Sequence, residues 1–153
     1  MKILFVCLGN ICRSPIAEGV MRKLISENHL DWQVDSAGTE SYHIGKAPHQ
    51  HSQAVCKENG IDISLQKARK FVKEDLEQYD KIYALASDVL LEMQRIAGTH
   101  MDKGKVMLFL NEQFPGQHKS VSDPWYGDKD GYYPVFAEIK SCCEAIVSKY
   151  VAI

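Results

Sequence analysis

Lys2-Ile3-Leu4-Phe5-Val6-Cys7-Leu8-Gly9-Asn10-Ile11-Cys12-Arg13-Ser14-Pro15 changes its pattern twice within fourteen residues. The run Lys2–Cys7 is β-branched, aromatic and almost continuously apolar, which reads as a strand buried on both faces. A turn-prone loop follows. Ser14-Pro15 then predicts a helix N-cap with proline at the first helical position, and Ile16, Ala17, Val20, Met21 and Leu24 fall on one helical face. Strand, loop and helix recur along the chain. A second strand is predicted over Trp32–Ser36 and a helix over Pro48–Glu58, stopped by Asn59-Gly60. After a short helical piece at Lys73–Gln78 come a third strand at Asp80–Ala86 and a helix capped by Ser87, which runs to Ile96 and ends at Gly98. Lys105–Leu110 reads as the fourth strand. The final helix starts near Gly131 and spaces Val135, Phe136, Ile139, Cys142, Cys143 and Ile146 by threes and fours.

Strands alternating with helices imply right-handed crossovers and a parallel sheet. The expected fold is therefore α/β, a three-layer doubly wound sandwich with a four-stranded parallel sheet and helices on both faces. Ligands in such sheets bind beyond the carboxyl ends of the strands, where strand order reverses. That directs attention to residues 7–14, 37–45, 86–88 and 111–130, the last a long connection rich in Gly, Pro, Asp and aromatics.

The chain has 153 residues, the size of one domain over 1–153, with 45% hydrophobic and 25% charged residues, ordinary for a globular protein. Eighteen Lys and Arg against twenty Asp and Glu give a net charge of -2, so nothing marks a general nucleic-acid binder. No apolar run approaches the roughly 18 residues of a membrane-spanning helix. The start, Met1–Val6, has the flavour of a signal peptide, but Gly9, Asn10 and Arg13 interrupt it. Five cysteines, Cys7, Cys12, Cys56, Cys142 and Cys143, form no disulfide framework, which points to a reducing, cytoplasmic setting.

At the strand-to-helix junction, backbone N–H groups and the positive helix end converge on one point, an anion site. Gly9 permits a tight turn, and Asn10 tolerates the left-handed conformation. Cys7 would lie at the centre of the ring. Helix N-termini and neighbouring cations favour a thiolate, which makes Cys7 a nucleophile. Arg13 offers a planar fork for two phosphoryl oxygens, and Ser14 can donate to the thiolate. Each residue alone has an ordinary reading: a core cysteine, a solvated arginine, a helix start. Their joint spacing carries the inference. Neither a nucleotide P-loop nor a dinucleotide G-x-G-x-x-G is present, and Cys7 with Cys12 lacks the partners of a zinc site. No cofactor or metal is expected.

A cysteine attacking phosphorus needs an acid for the departing oxygen, then a base for the water that resolves the phosphocysteine. Asp123 in Ser122-Asp123-Pro124-Trp125-Tyr126 can serve both, with Pro124 holding it extended and the aromatics beside it.

These residues resemble the low-molecular-weight protein tyrosine phosphatases. The likeness lies in C-x5-R-S-P-x-A-E at Cys7–Glu18, D-S-A-G-T at Asp35–Thr39 and D-P-aromatic-aromatic at Asp123–Tyr126, and it covers essentially the whole chain. The resemblance implies a phosphomonoester hydrolase acting on phosphotyrosine in proteins and on small aryl phosphates, with Cys7 as nucleophile, Arg13 as phosphate clamp and Asp123 as acid and base. Leu8, Gly9, Asn10, Ile11, Cys12 and Ser14 become the phosphate-binding loop, stabilised by Asn10 and Ser14. Tyr42, Trp125 and Tyr126 line the slot for the substrate ring, and Cys12 becomes the redox partner of Cys7. A monomer with phosphoprotein partners is expected.

Four positions depart from the family pattern. Gln66 stands where a histidine is usual, with some loop-stiffening hydrogen bonding retained, and Ala86 stands for an aspartate that Asp88 would have to replace. His49 and His51 stand for an Asp and an Arg, and the pair reads as solvated and titrating. Rival readings are a phosphoarginine phosphatase, whose relatives tend to carry Thr at the place of Ile11, an arsenate-reductase-like thiol enzyme, a phosphocysteine carrier, and a non-catalytic phosphoprotein-binding module. The arsenate-reductase chemistry needs further cysteines on a mobile loop, and none lies between Cys56 and Cys142. Arg13 and Asp123 together argue against the carrier and the inert module.

Overall fold

A computed structural model describes residues 1–102, 104–124 and 127–151. Strand β1 is Lys2–Cys7, and its side chains alternate between two cores. Ile3, Phe5 and Cys7 pack with helices α1 (Arg13–Glu27), α2 (Gln50–Glu58) and α5 (Tyr132–Val151). Leu4 and Val6 pack on the other face with α4 (Ser87–Ala97), which contributes Val89 and Met93, and with Leu76 of the short α3 (Asp75–Gln78). The continuous apolar run is thus two alternating sets, each fully covered.

The other strands are β2 (Gln33–Gly38), β3 (Lys81–Ala84) and β4 (Val106–Leu108), all parallel in the order β2-β1-β3-β4. The chain leaves β1 for a neighbour on one side and returns to β3 on the other, so the order reverses at β1. Cys7 ends that strand, paired in register with Gly38. The three-layer sandwich is as expected.

The boundaries differ where apolar content and hydrogen bonding part company. The fourth strand stops at Leu108, and Phe109–Glu112 continues as a 3-10 turn. Phe109 is fully buried there, edge-on to Phe5 with ring centroids 5.5 Å apart, so a buried apolar run did not mean strand throughout. Ser87 does not cap α4. The N-cap is Ala86, and the Ser87 N–H donates instead to Ser120 Oγ at 2.9 Å. The connection between residues 111 and 131 contains another 3-10 turn, Lys129–Gly131, and the last helix starts at Tyr132.

Glu112 ties α5 to the sheet. Its carboxylate accepts from Tyr83 Oη at 2.6 Å and from Lys149 Nζ at 2.9 Å, and its side chain is 1% exposed. Burial alone would raise its pKa, yet hydrogen bonds from Tyr150, Tyr83 and Lys149 outweigh it and hold the carboxyl below the usual range. A depressed carboxyl stabilises the fold above the ordinary carboxylate range and loses that contribution as pH falls through its folded value. Glu112→Gln should therefore lower stability at pH 7 by about 2–3 kcal/mol, with a deficit that narrows below about pH 4. Urea titrations at both pH values check this, and a pH-independent deficit would assign it to packing.

Candidate active site

Cys7 is the last residue of β1 and Arg13 the first of α1, so residues 8–12 close one turn between them. The helix begins earlier than Ser14-Pro15 suggests: Cys12 is the N-cap, without a side-chain cap, and Pro15 takes the third helical position. Proline is tolerated there because first-turn N–H groups have no intrahelical partner. Ser14 is directed elsewhere, with Oγ 2.9 Å from Cys7 Sγ.

Asn10 adopts the left-handed conformation, at φ 58°, and three hydrogen bonds hold it. Its Nδ2 donates to Ser14 Oγ at 2.8 Å and to Ser36 Oγ at 2.9 Å, while Oδ1 accepts from the Arg69 N–H at 3.0 Å. The Arg69 bond fixes which end of the amide is oxygen. Both Nδ2 hydrogens are then committed, and Ser14 Oγ, an acceptor toward Asn10, lies within reach of Cys7 Sγ at 2.9 Å and of Ala37 O at 3.5 Å, either of which its single proton can serve. Ser36 Oγ donates to Glu18 Oε1 at 2.7 Å, and Arg22 pairs with Glu18 at 2.7 Å. A polar chain thus runs from the surface to the sulfur.

Gly9 is not in a left-handed turn, and a Cβ there would make a tight contact, 3.1 Å, with the His43 side chain at Cδ2. Gly38 is more constrained. A Cβ on it would meet Leu8 O at 2.8 Å and Asn10 N at 2.9 Å, both backbone atoms of the loop. Gly38→Ala should displace the loop and reduce kcat/KM by about 10²-fold while thermal stability changes modestly. Steady-state kinetics beside a melting curve separate the two, and unaltered kcat/KM would show that the loop tolerates the shift.

Arg13 is 3% exposed, and its Nη1 donates to Val121 O at 3.1 Å. The Val121 N–H donates to Leu85 O at 2.8 Å, which pins the segment after β4 to the end of β3. Asp123 is thereby carried over the loop, with Oδ2 3.6 Å from Arg13 Nη2. Cys7, Ile11, Cys12, Arg13 and Asp123 line one cavity of about 270 Å³. Leu8, Gly9 and Tyr42 complete its wall, joined by Glu40 and His43, which sequence reasoning had passed over. Tyr42 stands at the mouth, largely exposed. Trp125 and Tyr126 lie outside the described residues.

The sequence profile of the family described as low molecular weight phosphotyrosine protein phosphatase matches residues 2–152. The chain belongs to that family. It is 38% identical over 151 residues to the low molecular weight phosphotyrosine protein phosphatase of Homo sapiens, covering 97% of this chain and 94% of the relative. A crystal structure of a protein tyrosine phosphatase from Entamoeba histolytica, with Hepes in its active site, superimposes with a TM-score of 0.89 at 35% identity, covering 99% of this chain and 97% of that one. A Drosophila arginine phosphatase superimposes with a TM-score of 0.89 at 30% identity and 98% coverage of both chains.

Within this phosphatase the departures from the family pattern resolve into specific contacts. Gln66 does not stiffen the loop through Asn10: its Nε2 donates to Pro15 O at 3.3 Å, and the Arg69 amide holds Asn10 instead. With Ala86 unable to cap α4, Ser120 takes the Ser87 N–H. The histidine pair is half-buried rather than solvated. His49 caps α2, its Nδ1 accepting from the His51 N–H at 3.1 Å, and its own N–H donates to Ile11 O at 2.7 Å. Both rings pack on Tyr132, with centroids 5.6 and 5.3 Å away. Burial first, then the charge of His51, holds the His49 pKa below the ordinary histidine value. No group of three or more His, Cys, Asp and Glu among the described residues is placed to hold a metal ion.

Proposed function

We propose that this phosphatase hydrolyses phosphotyrosine in proteins, and small aryl phosphates, through a phosphocysteine intermediate on Cys7. The observation that carries the reading is the 2.9 Å contact between Ser14 Oγ and Cys7 Sγ, the sulfur lining the same cavity as Arg13 and Asp123. Among the described residues the amides of Gly9, Asn10, Ile11 and Cys12 have no backbone acceptor, which leaves them for the phosphoryl oxygens together with the Arg13 fork. Ser14 stabilises the thiolate before attack and again when it departs. Cys7 Sγ attacks phosphorus, and Asp123 gives a proton to the tyrosyl oxygen as the P–O bond breaks. The Asp123 carboxylate then takes a proton from the water that attacks the phosphocysteine. The substrate ring occupies the wall formed by Tyr42, Leu8 and Ile11, with Trp125 and Tyr126 following Asp123 in sequence.

Phosphotyrosine is favoured over phosphoarginine by the apolar Ile11 in the loop. Phosphate release from matched phosphotyrosyl and phosphoarginyl peptides, without metal or nucleotide, tests the choice; faster turnover of the phosphoarginyl peptide would reverse it. The five cysteines are all free and buried, which supports a reducing, cytoplasmic setting. No helix among the described residues is long and apolar enough to cross a membrane. We read the protein as a monomer that acts on phosphoprotein partners. Cys12, beside Cys7 in the cavity wall, is read as its redox partner: a sulfenic acid on Cys7 is trapped by Cys12 as a disulfide that thiols reverse.

A further inference from the structure

The chain keeps pairing with β1 beyond the end of β2. The Thr39 N–H donates to Cys7 O at 3.0 Å and the Glu40 N–H to Leu8 O at 2.9 Å, so the backbone of Glu40 is fastened to the first residues of the phosphate-binding loop. The turn that follows is also held: the Lys46 N–H donates to His43 O at 2.9 Å, and the Gly45 N–H to Ala68 O at 2.8 Å. Glu40 therefore enters the cavity wall from a fixed main chain, beside the exposed apolar side chains of Leu8 and Tyr42. Its own side chain is partly buried. Among the described residues no salt bridge or side-chain hydrogen bond engages its carboxylate. Arg95 of α4 feels that charge, but its guanidinium is paired with Glu92.

Among the described residues of that wall, Arg13 is the one guanidinium or ammonium group, and it serves Val121 O and the phosphoryl oxygens. A bound phosphoryl dianion more than cancels its charge. Asp123 is committed to the leaving oxygen, and the His43 ring lies against Gly9, with Cδ2 3.1 Å from where a Cβ on that glycine would stand. Glu40 is thus a negative charge at the opening, which the phosphate itself does not need. We propose that Glu40 is a specificity-determining residue that selects phosphotyrosine flanked by Lys or Arg and rejects phosphotyrosine flanked by Asp or Glu. The proposal rests on the phosphotyrosine reading above and narrows its substrate class. The tyrosyl ring fills the apolar side of the opening, against Leu8 and Tyr42, and the peptide on either side of it crosses the rim beside the Glu40 carboxylate. A cationic neighbour there gains an ion pair, and an anionic one meets a like charge. The contact is made to the peptide and not to the phosphoryl group. It acts until the tyrosine departs and has no hold on the phosphocysteine left behind.

The test measures kcat/KM at pH 8, above the ordinary histidine range, for phosphotyrosyl peptides that differ only in the residues on either side of the phosphotyrosine: Arg, Ala or Glu. Each value is divided by that of the Ala peptide with the same variant, which cancels any general change in phosphate binding or in the fraction of folded enzyme. In wild type at low salt the Arg peptide should exceed the Ala peptide by about 3- to 5-fold, and the Glu peptide should fall below it by about the same factor, the size of a partly exposed ion pair. Both ratios should shrink toward unity in about 0.5 M salt. Glu40→Gln should bring both close to unity, and Glu40→Lys should invert their order. Hydrolysis of the phosphocysteine should proceed at one rate for all three peptides in each variant, because the flanking residues have left with the tyrosine. Equal kcat/KM values in wild type, or a preference for the Glu peptide, would overturn the proposal while leaving the phosphotyrosine reading standing. An Arg preference that persists undiminished in Glu40→Gln would place the selecting charge elsewhere and overturn it too. Turnover of none of the three peptides would remove the phosphotyrosine reading itself.

Discussion

Cys7→Ser should lose steady-state turnover by about 10⁴-fold or more and still bind phosphate within a few-fold of wild type. The hydroxyl is a far weaker nucleophile than a thiolate, and at this position it would stand beside the Ser14 hydroxyl in place of an anionic sulfur. The anion site survives because it is made of loop amides and of Arg13, whose guanidinium is anchored on Val121 O independently of residue 7. Arg13→Ala should weaken binding and turnover together, since it removes both the fork and the contact that faces Asp123. Phosphate inhibition constants beside kcat separate the two variants. Appreciable steady-state activity in Cys7→Ser would require a different nucleophile.

Asp123→Ala should cost about 10²–10⁴-fold in phosphoenzyme formation from an unactivated tyrosyl ester and much less from a phenol that leaves readily. A poor leaving group needs the proton as its bond breaks; a good one departs as an anion. The second step should remain impaired for every substrate, because all of them share the same phosphocysteine and need the same base. A leaving-group series with pre-steady-state kinetics reads the two steps apart. Equal defects across the series would move the acid to another carboxylate, with Asp128 the nearest in sequence and Asp88 at the start of α4.

The fold was legible because β1 and α1 are adjacent in sequence and carry opposite periodicities, so the junction at Cys7–Arg13 could be located without any long-range contact. Asp123 was legible for a different reason: Pro124 restricts the residue before it, and the sheet topology sends the segment after β4 to the same end as Cys7. What stayed hidden depends on backbone groups and on distant pairings. The Arg69 bond to Asn10 is made by a main-chain N–H 59 residues away, which no side-chain pattern encodes. Ser14 was misassigned as a cap because Ser-Pro normally announces a helix start, whereas here the demand of Asn10 and Cys7 for its oxygen prevails. The His49–His51 pair looked solvated because Tyr132, the residue that covers it, lies 83 positions beyond His49. Phe109 was placed in a strand because a buried 3-10 turn and a buried strand end share the same apolar composition.

In the proposed mechanism phosphate passes through the Cys7 sulfur. Wild-type enzyme mixed with phosphotyrosyl peptide, quenched within one turnover and digested without exposure to strong acid, should yield the peptide containing Cys7 with one phosphoryl group on sulfur. The adduct should form and decay at rates that account for kcat. Phosphorylation of any other residue on that timescale, or full turnover with no adduct on Cys7, would contradict the account.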